Sequence, residues 1–244
     1  MKKGNKLGLY QFTALMKHEL KYYFVTPIAY VVIAVFWSAS GFFFSFNQLF
    51  VSAINMVSAF HNMSLLLMLM IPFLSMRTFA EERQNNTLEL LMTLPISEAA
   101  LVWAKYLALM TIVLLMLLGS AVAVAILSYF GDPDYGPIVG GYIGIFLLAA
   151  SFSGIGVLMS SISTNQIVAA ALTWFCVLLM WFADYGASLF PSSWLVYFFQ
   201  HISFSVHYLD LIRGVLTRGT LIYFISVIFL TLVVSVQILK VKRS

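Results

Sequence analysis

Few residues in this 244-residue chain could do chemistry: it has nine acids, thirteen Lys or Arg, four histidines and one cysteine. The adjacent carboxylates Glu81 and Glu82 are the kind of pair that acid–base catalysis uses. They open the Glu-Glu-x-x-x-Arg pattern of an intramembrane protease, but Asn86 stands where that pattern needs Arg. His201, His207 and Asp210 are the right types for a metal. Six residues is neither an i+3 nor an i+4 spacing, so one helix would not place both rings on one face. Interfacial hydrogen bonding is the expectation there, and no metal site is assigned. Cys176 lies in an apolar run with no second cysteine to pair with. No G-x-x-x-x-G-K-[ST] loop occurs, so ATP chemistry of that type has to come from another polypeptide. The reading is a protein that is not itself an enzyme.

The one concentrated polar stretch is residues 79–97, FAEERQNNTLELLMTLPIS, set between long apolar runs. Arg77 to Arg83 continues a helical pattern, and Gln84-Asn85-Asn86 interrupts it. Asn86 followed by Glu89 three residues on has the form of a capping box. Leu88, Leu91 and Met92 then share one apolar face, and Pro95 ends the element. The predicted helix, Asn86 to Leu94, is about eight residues or roughly 12 Å long. Helices that short are marginal alone in water, so its apolar face needs a second surface. Ser97 is placed to cap the next helix, with Glu98 in its first turn, where the helix dipole favours an anion.

The elements that must position this stretch follow from composition. The chain is 62% hydrophobic and 9% charged, with mean hydropathy +0.98. Soluble domains carry about a quarter charged residues, so a water-soluble globule is excluded. The fold class predicted is all-α and integral to a membrane. At about 20 apolar residues per crossing, six spans are read: 27–46, 59–76, 101–130, 138–160, 167–183 and 221–239. Residues 77–98 form the polar loop between the second and third. Residues 185–219, aromatic but interrupted by Pro191, His201 and Asp210, read as outer interfacial or re-entrant helices, with Trp194, Tyr197 and Tyr208 at headgroup depth.

Eleven basic residues fall on one side: Lys2, Lys3, Lys6, Lys17, Lys21, Arg77, Arg83, Lys105, Lys240, Lys242 and Arg243. Arg213 and Arg218 fall on the other. The positive-inside rule then makes both termini cytoplasmic in an inner membrane, with Asp132 and Asp134 outside. This scatter of basic residues at span ends gives no nucleic-acid patch. A cleaved leader ending near Ser38-Ala39-Ser40 is the rival for the first span, but a polar region of about 25 residues ahead of it is long for that purpose. Within 1–26, Leu9, Phe12, Met16, Leu20 and Tyr23 recur at helical spacing opposite Lys17, His18 and Lys21, as in an amphipathic helix on the inner surface. Gly140, Gly144, Ser151, Ser153, Gly154 and Gly156 give the fourth span a small-residue face for close packing.

The run Glu82, Thr87-Leu88-Glu89-Leu90-Leu91, Leu94-Pro95-Ile96-Ser97 and Lys105-Tyr106 resembles the cytoplasmic loop of ABC-2 type permeases. Phe24 to Tyr30 with Gly41-Phe42-Phe43-Phe44 is similar to that family's first span. Ser160 to Gln166 is similar to its second cytoplasmic turn, and His207, Arg213-Gly214-Val215 and Tyr223-Phe224 to its approach to the last span. The gliding-motility and nitrous-oxide-reductase-maturation permeases are the subgroups it most resembles, although Thr217-Arg218-Gly219 lacks their acidic residue. The resemblance implies a six-helix bundle, 27–244, with an elbow helix at 1–26. It implies a coupling helix, built around Glu81, Glu82, Arg83, Asn86, Thr87, Leu88, Glu89, Leu91, Met92 and Pro95, that docks in a separate ATP-binding subunit. A second contact at Ser163, Thr164, Asn165 and Gln166 is implied with it. ATP and Mg would be held by that partner, with no cofactor in this chain. A second copy or a paralogous permease would complete the pathway, with a periplasmic auxiliary subunit in the motility-type case. Two alternatives stay open: a membrane scaffold for an ATPase in a mechanical complex, and an ion-coupled secondary transporter. The absence of ionisable groups from the span centres counts against the second.

Overall fold

The computed structural model describes residues 2–51, 56–93, 96–130, 133–187 and 193–243, with backbone alone at 2–11, 47–51, 90, 130, 187 and 193. Within these residues every regular element is helical. They are α1 (Lys2–Val25), α2 (Pro27–Val51), α3 (Val57–Ser75), α4 (Ala80–Gln84), α5 (Leu88–Met92) and α6 (Glu98–Phe130). Then follow α7 (Tyr135–Ile162), α8 (Gln166–Trp181), α9 (Ala183–Ala187), α10 (Ser193–Ile202), α11 (Phe204–Ile212) and α12 (Arg218–Arg243). Among the described residues five segments are long and apolar enough to cross a membrane: Pro27–Phe46, Val57–Gln84, Glu98–Tyr129, Tyr135–Ile162 and Arg218–Arg243. This is a multi-pass membrane protein. The fifth span read from the sequence, 167–183, coincides with α8, whose 16 residues rise about 24 Å against a hydrocarbon core of about 30 Å.

The core is organised around α7, which packs against α3, α6, α8, α11 and α12. Its small residues are what allow five neighbours. A methyl group on Gly140 would lie 2.7 Å from the Leu211 carbonyl oxygen of α11, one on Gly154 2.5 Å from Thr231 Oγ1 of α12, and one on Gly156 2.1 Å from Ser75 Oγ of α3. The small-residue face predicted for this span is present, and it is used up inside the chain. Around it sit the fully buried rings of Phe60, Phe152, Phe204, Tyr208 and Phe224. The helix α1 ends at Val25 and α2 begins at Pro27, with a bend at Thr26, the residue before the proline.

One end of the bundle gathers α9, α10 and α11. The predicted aromatic segment is there as these short helices, and Trp194 and Tyr197 are exposed as expected. Tyr208 departs from the expectation. It is completely buried within the chain, and its hydroxyl donates to the Phe60 carbonyl at 2.8 Å, so it anchors α11 to α3. Gly214, at φ +83°, closes α11: the Val215 amide reaches Asp210 O at 2.9 Å and the Gly214 amide Leu211 O at 3.0 Å. The helical break at Ser203 brings His201 and His207 to 6.5 Å between ring centroids, nearer than one continuous helix would allow. Each ring nitrogen that is engaged meets a carbonyl, His201 Nδ1 at Tyr197 O and His207 Nε2 at His201 O. Burial pushes the His207 pKa down. Among the described residues no cluster of three metal-ligating side chains forms.

Candidate functional site

The opposite end of the bundle is built from charge. Here α1, the α4–α5 segment, the start of α6, the end of α7, the start of α8 and the end of α12 converge. Lys105, in the second turn of α6, is 2% exposed in its side chain. Its Nζ donates to Glu19 Oε1 of α1 at 2.9 Å and to Glu82 Oε1 of α4 at 2.7 Å. One ammonium therefore ties three elements, and in a low-dielectric setting both carboxylates depend on it. Beside it, Arg77 grips Glu81 with two parallel bonds, Nε to Oε2 at 2.6 Å and Nη2 to Oε1 at 2.9 Å. The Tyr22 hydroxyl of α1 accepts from Arg77 Nη2 at 2.8 Å and donates to Glu81. Burial, then that bond to Glu81, pushes the Tyr22 pKa up to about 12, so the phenol keeps its proton. These groups wall a cleft of about 260 Å³ that also touches His18, Asn85 and Leu91.

The segment is fixed on its other flank to α7. Ser160 Oγ accepts from the Phe79 and Ala80 amides, both at 3.0 Å, and donates to Met76 O at 3.0 Å. Arg83 Nη1 donates to Ile162 O at 2.9 Å and Ser163 O at 3.0 Å, and Nη2 to Ser161 O at 3.3 Å. Lys242, near the end of α12, adds Nζ to Ser161 O at 2.8 Å. The last carbonyls of α7 have no partner within the helix and carry the negative end of its dipole, so cations are the natural caps. Arg243 also crosses to Glu98 Oε1 and to Ile96 O.

The predicted coupling residues are placed as follows. Asn86 is not the N-cap of the next helix. It sits at φ +57° and closes α4, with the Thr87 amide on Glu82 O at 2.8 Å and the Asn86 amide on Arg83 O at 3.1 Å. That pair of bonds is a Schellman stop, and Asn tolerates the left-handed conformation it demands. The following helix is shorter than predicted, Leu88–Met92 instead of Asn86 to Leu94. Thr87 precedes it, and the Leu91 amide returns to Thr87 O at 3.1 Å. Leu88 is buried in this chain, and Leu91 and Met92 pack against its core, so the apolar face is turned inward. The exposed side is polar: Gln84, Asn85, Asn86, Thr87 and Glu89. Glu81 and Glu82 are engaged by Arg77 and Lys105, which removes Glu82 as an open ion-pair partner. Pro95 lies outside the described residues.

The second predicted contact, Ser163 to Gln166, is the turn between α7 and α8. The Asn165 side chain caps α8 by accepting from the Ile167 amide at 2.8 Å, and Ser163 Oγ donates to Met159 O at 2.8 Å. Thr164 shares a cleft of about 270 Å³ with Arg83, Asn86, Leu88, Glu89, Met92 and Lys242. Two groups nearly 80 residues apart in sequence thus meet at one surface. Ser97 and Asp134 cap their helices, Ser97 Oγ accepting from the Ala100 amide at 3.2 Å and Asp134 Oδ1 from the Gly136 amide at 3.0 Å. Sequence reasoning missed Glu19, Tyr22 and Ser160. The one available signal was Glu19, a lone acid at the i+4 position from Leu15 and so on the buried side of α1.

This arrangement has no reacting constellation; what it supports is a rigid polar knob fastened to several long helices. No curated protein matches the chain in a sequence comparison. The profile of the family described as ABC-2 family transporter protein matches residues 15–180, which run from the buried turns of α1 through the α4–α5 segment to the end of α8. That match covers more than half of the 244 residues, and the chain belongs to the ABC-2 family of transporter proteins.

Proposed function

We propose that this chain is the permease subunit of an ATP-driven exporter, energised by a separate ATP-binding subunit that docks on the α4–α5 segment. In this reading α8 is a sixth crossing, both termini and the charged end face the cytoplasm, and the membrane is the inner membrane. ATP and Mg belong to the partner chain. A second copy or a paralogous permease supplies the other wall of the pathway; a periplasmic auxiliary subunit would accompany a motility-type assignment.

The observation that carries the reading is the two-sidedness of residues 80–92. Their inner side is locked to α1 and α6 through Glu82 and Lys105 and to α7 through Arg83, while Gln84, Asn85, Asn86, Thr87 and Glu89 are exposed together. A loop serving only to join two spans has no need of such fastening. The docking surface is therefore polar and is read mainly by hydrogen bonds and by the Glu89 charge. Leu88 holds the knob in shape and does not itself enter the partner.

The test is co-purification of an ATP-binding subunit with the affinity-tagged chain from native membranes, followed by ATP hydrolysis in nanodiscs. Asn85→Trp with Glu89→Lys should lower recovery of the ATP-binding subunit about tenfold or more, the loss of roughly 1.4 kcal/mol, with thermal stability unchanged. Undiminished recovery, or no ATP-binding subunit on the unmodified chain, would refute the proposal.

A further inference from the structure

The α4–α5 segment is covalently continuous with α3 and α6, so those two helices are the obvious ones for it to move. The side chains point elsewhere. Building on the docking role proposed above, we infer that Arg83 is the positioning residue that passes displacement of the segment to α7, the central helix of the bundle.

Three side chains carry the inference: Arg83, Ser160 and Lys242. The Arg83 guanidinium reaches the carbonyls of residues 161, 162 and 163 at 2.9–3.3 Å, three successive acceptors at the end of α7. Its fork is planar and always charged, so it holds the α7 end as a unit, which a single ammonium would not. Ser160, one turn inside the same helix, takes the two amides that start α4 and returns its proton to Met76 O. The segment and the end of α7 therefore share a hydrogen-bonded joint with a buried serine at its centre. Lys242 fastens α12 to the same helix end through Ser161 O.

From this joint α7 runs 28 residues, about 42 Å, to the far end. There Gly140 abuts the Leu211 carbonyl and the backbone of Gly214, with no space for a methyl group. Close-packed interfaces of this kind transmit displacement because they do not compress. A push on the exposed face of α4 thus reaches α11 through one rigid rod. Ser160 is buried and lies outside the polar docking face, and Arg83 borders that face in the cleft it shares with Asn86 and Glu89. Retained partner binding in the Arg83 and Ser160 variants is therefore what separates binding from delivery of motion.

The experiment uses the full complex with the co-purified ATP-binding subunit, in nanodiscs. A cysteine replaces the exposed Tyr135 at the start of α7 in a Cys176→Ala background, and its rate of reaction with an impermeant maleimide is read without nucleotide and after vanadate trapping. The unmodified joint should show a nucleotide-dependent ratio of about fivefold or more, the lower range of ordinary coupling between sites. Arg83→Gln should bring that ratio to about one while the ATP-binding subunit stays bound, and Arg83→Lys should recover part of it. Should Arg83→Gln fail to fold, Ser160→Ala takes its place and should reduce the ratio. A ratio that persists in Arg83→Gln or Ser160→Ala overturns the inference, as does the absence of any ratio in the unmodified joint with the partner still bound; in both cases the docking proposal survives. Absence of the ATP-binding subunit from the unmodified chain overturns both.

Discussion

Replacing Lys105 by Met, close in volume and uncharged, tests the polar end at its centre. Lys105 Nζ is 2.9 Å from one carboxylate and 2.7 Å from another, and the side chain is 2% exposed. Removing the cation leaves Glu19 and Glu82 facing each other without compensation. Breaking a buried pair by deleting one partner costs about 3–5 kcal/mol. At 1.4 kcal/mol per tenfold that is roughly two to three and a half orders of magnitude in the opening equilibrium of this region. The opening should release α1, because the exposed tie of Tyr22 to the Arg77–Glu81 pair contributes at most about 1 kcal/mol, and the buried Tyr23 hydroxyl on Leu74 O, at 3.2 Å, adds about 0.5–1.5 kcal/mol. Exposed Lys17 and Lys21 on α1 provide the readout: trypsin cuts there only when the helix opens, so its rate follows the open population.

Cleavage at these lysines in detergent-purified Lys105→Met should be about a hundredfold faster than in the unmodified protein. Adding Glu19→Gln and Glu82→Gln removes the stranded charges, and a neutral set of similar shape is often as stable as the ion pairs it replaces. The triple variant should therefore return most of the protection. Unchanged cleavage in Lys105→Met would refute the reasoning that the ammonium holds α1. A triple variant as labile as the single one would refute the claim that the stranded carboxylates are the cause.

Asn86→Gly should be neutral to slightly stabilising, whereas Asn86→Val should cost about 1–2 kcal/mol because φ is +57°; thermal unfolding of the purified protein separates the two. An Asn86 acting as an N-cap would instead make Val and Ala equally damaging. Gly154→Ala forces a methyl group to 2.5 Å from Thr231 Oγ1, an overpacking of about 1–3 kcal/mol; Thr231→Ala should relieve most of it, a coupling that a double-mutant cycle of melting temperatures reads directly. Single cysteines at exposed Asn85 and at exposed Tyr135, in a Cys176→Ala background, should react with an impermeant thiol reagent from opposite faces of the membrane, and labelling from one face would overturn the proposed orientation.

The long helices were legible because lipid imposes one rule on every residue of a span, and apolar runs of about 20 residues record it. The Ser97 cap was legible because it needs only its next few residues to act; Asp134 and Asn165 cap their helices in the same local way but were not read as caps. Asn86 shows where local rules run out. An Asn between two helical patterns can close the first or open the second, and the choice is made by the bond from the Thr87 amide back to Glu82 O, which spacing alone does not reveal. The period of Leu88, Leu91 and Met92 announced one buried face, which the family resemblance assigned to the ATP-binding partner; the chain's own core buries it instead. Lys105 read as one more charge on the basic side. Its burial depends on Glu19, 86 residues earlier, and such long-range pairing leaves no periodic trace.

The two ends of the molecule are fastened by different physics, and this bears on which end can be driven. At the far end α11 is held by packing against α7, by the Tyr208 hydroxyl on a helix carbonyl and by the Ser205 hydroxyl on Asp184 Oδ1. That packing passes on a push where atoms already touch, as at Gly140, but sets no preferred direction for sliding along the interface. At the charged end the segment is held by directional bonds to three separate helices, α6 through Lys105, α1 through Tyr22 and the shared Lys105, and α7 through Ser160 and Arg83, while Lys242 ties α12 to the same α7 end. A load on the exposed face of residues 84–89 cannot be absorbed by bending the loop, because its inner face is bonded at each of these points. It has to move helices. The end that is stiff is thus the one suited to receive force, and the end that is packed without direction is the one suited to change shape in response.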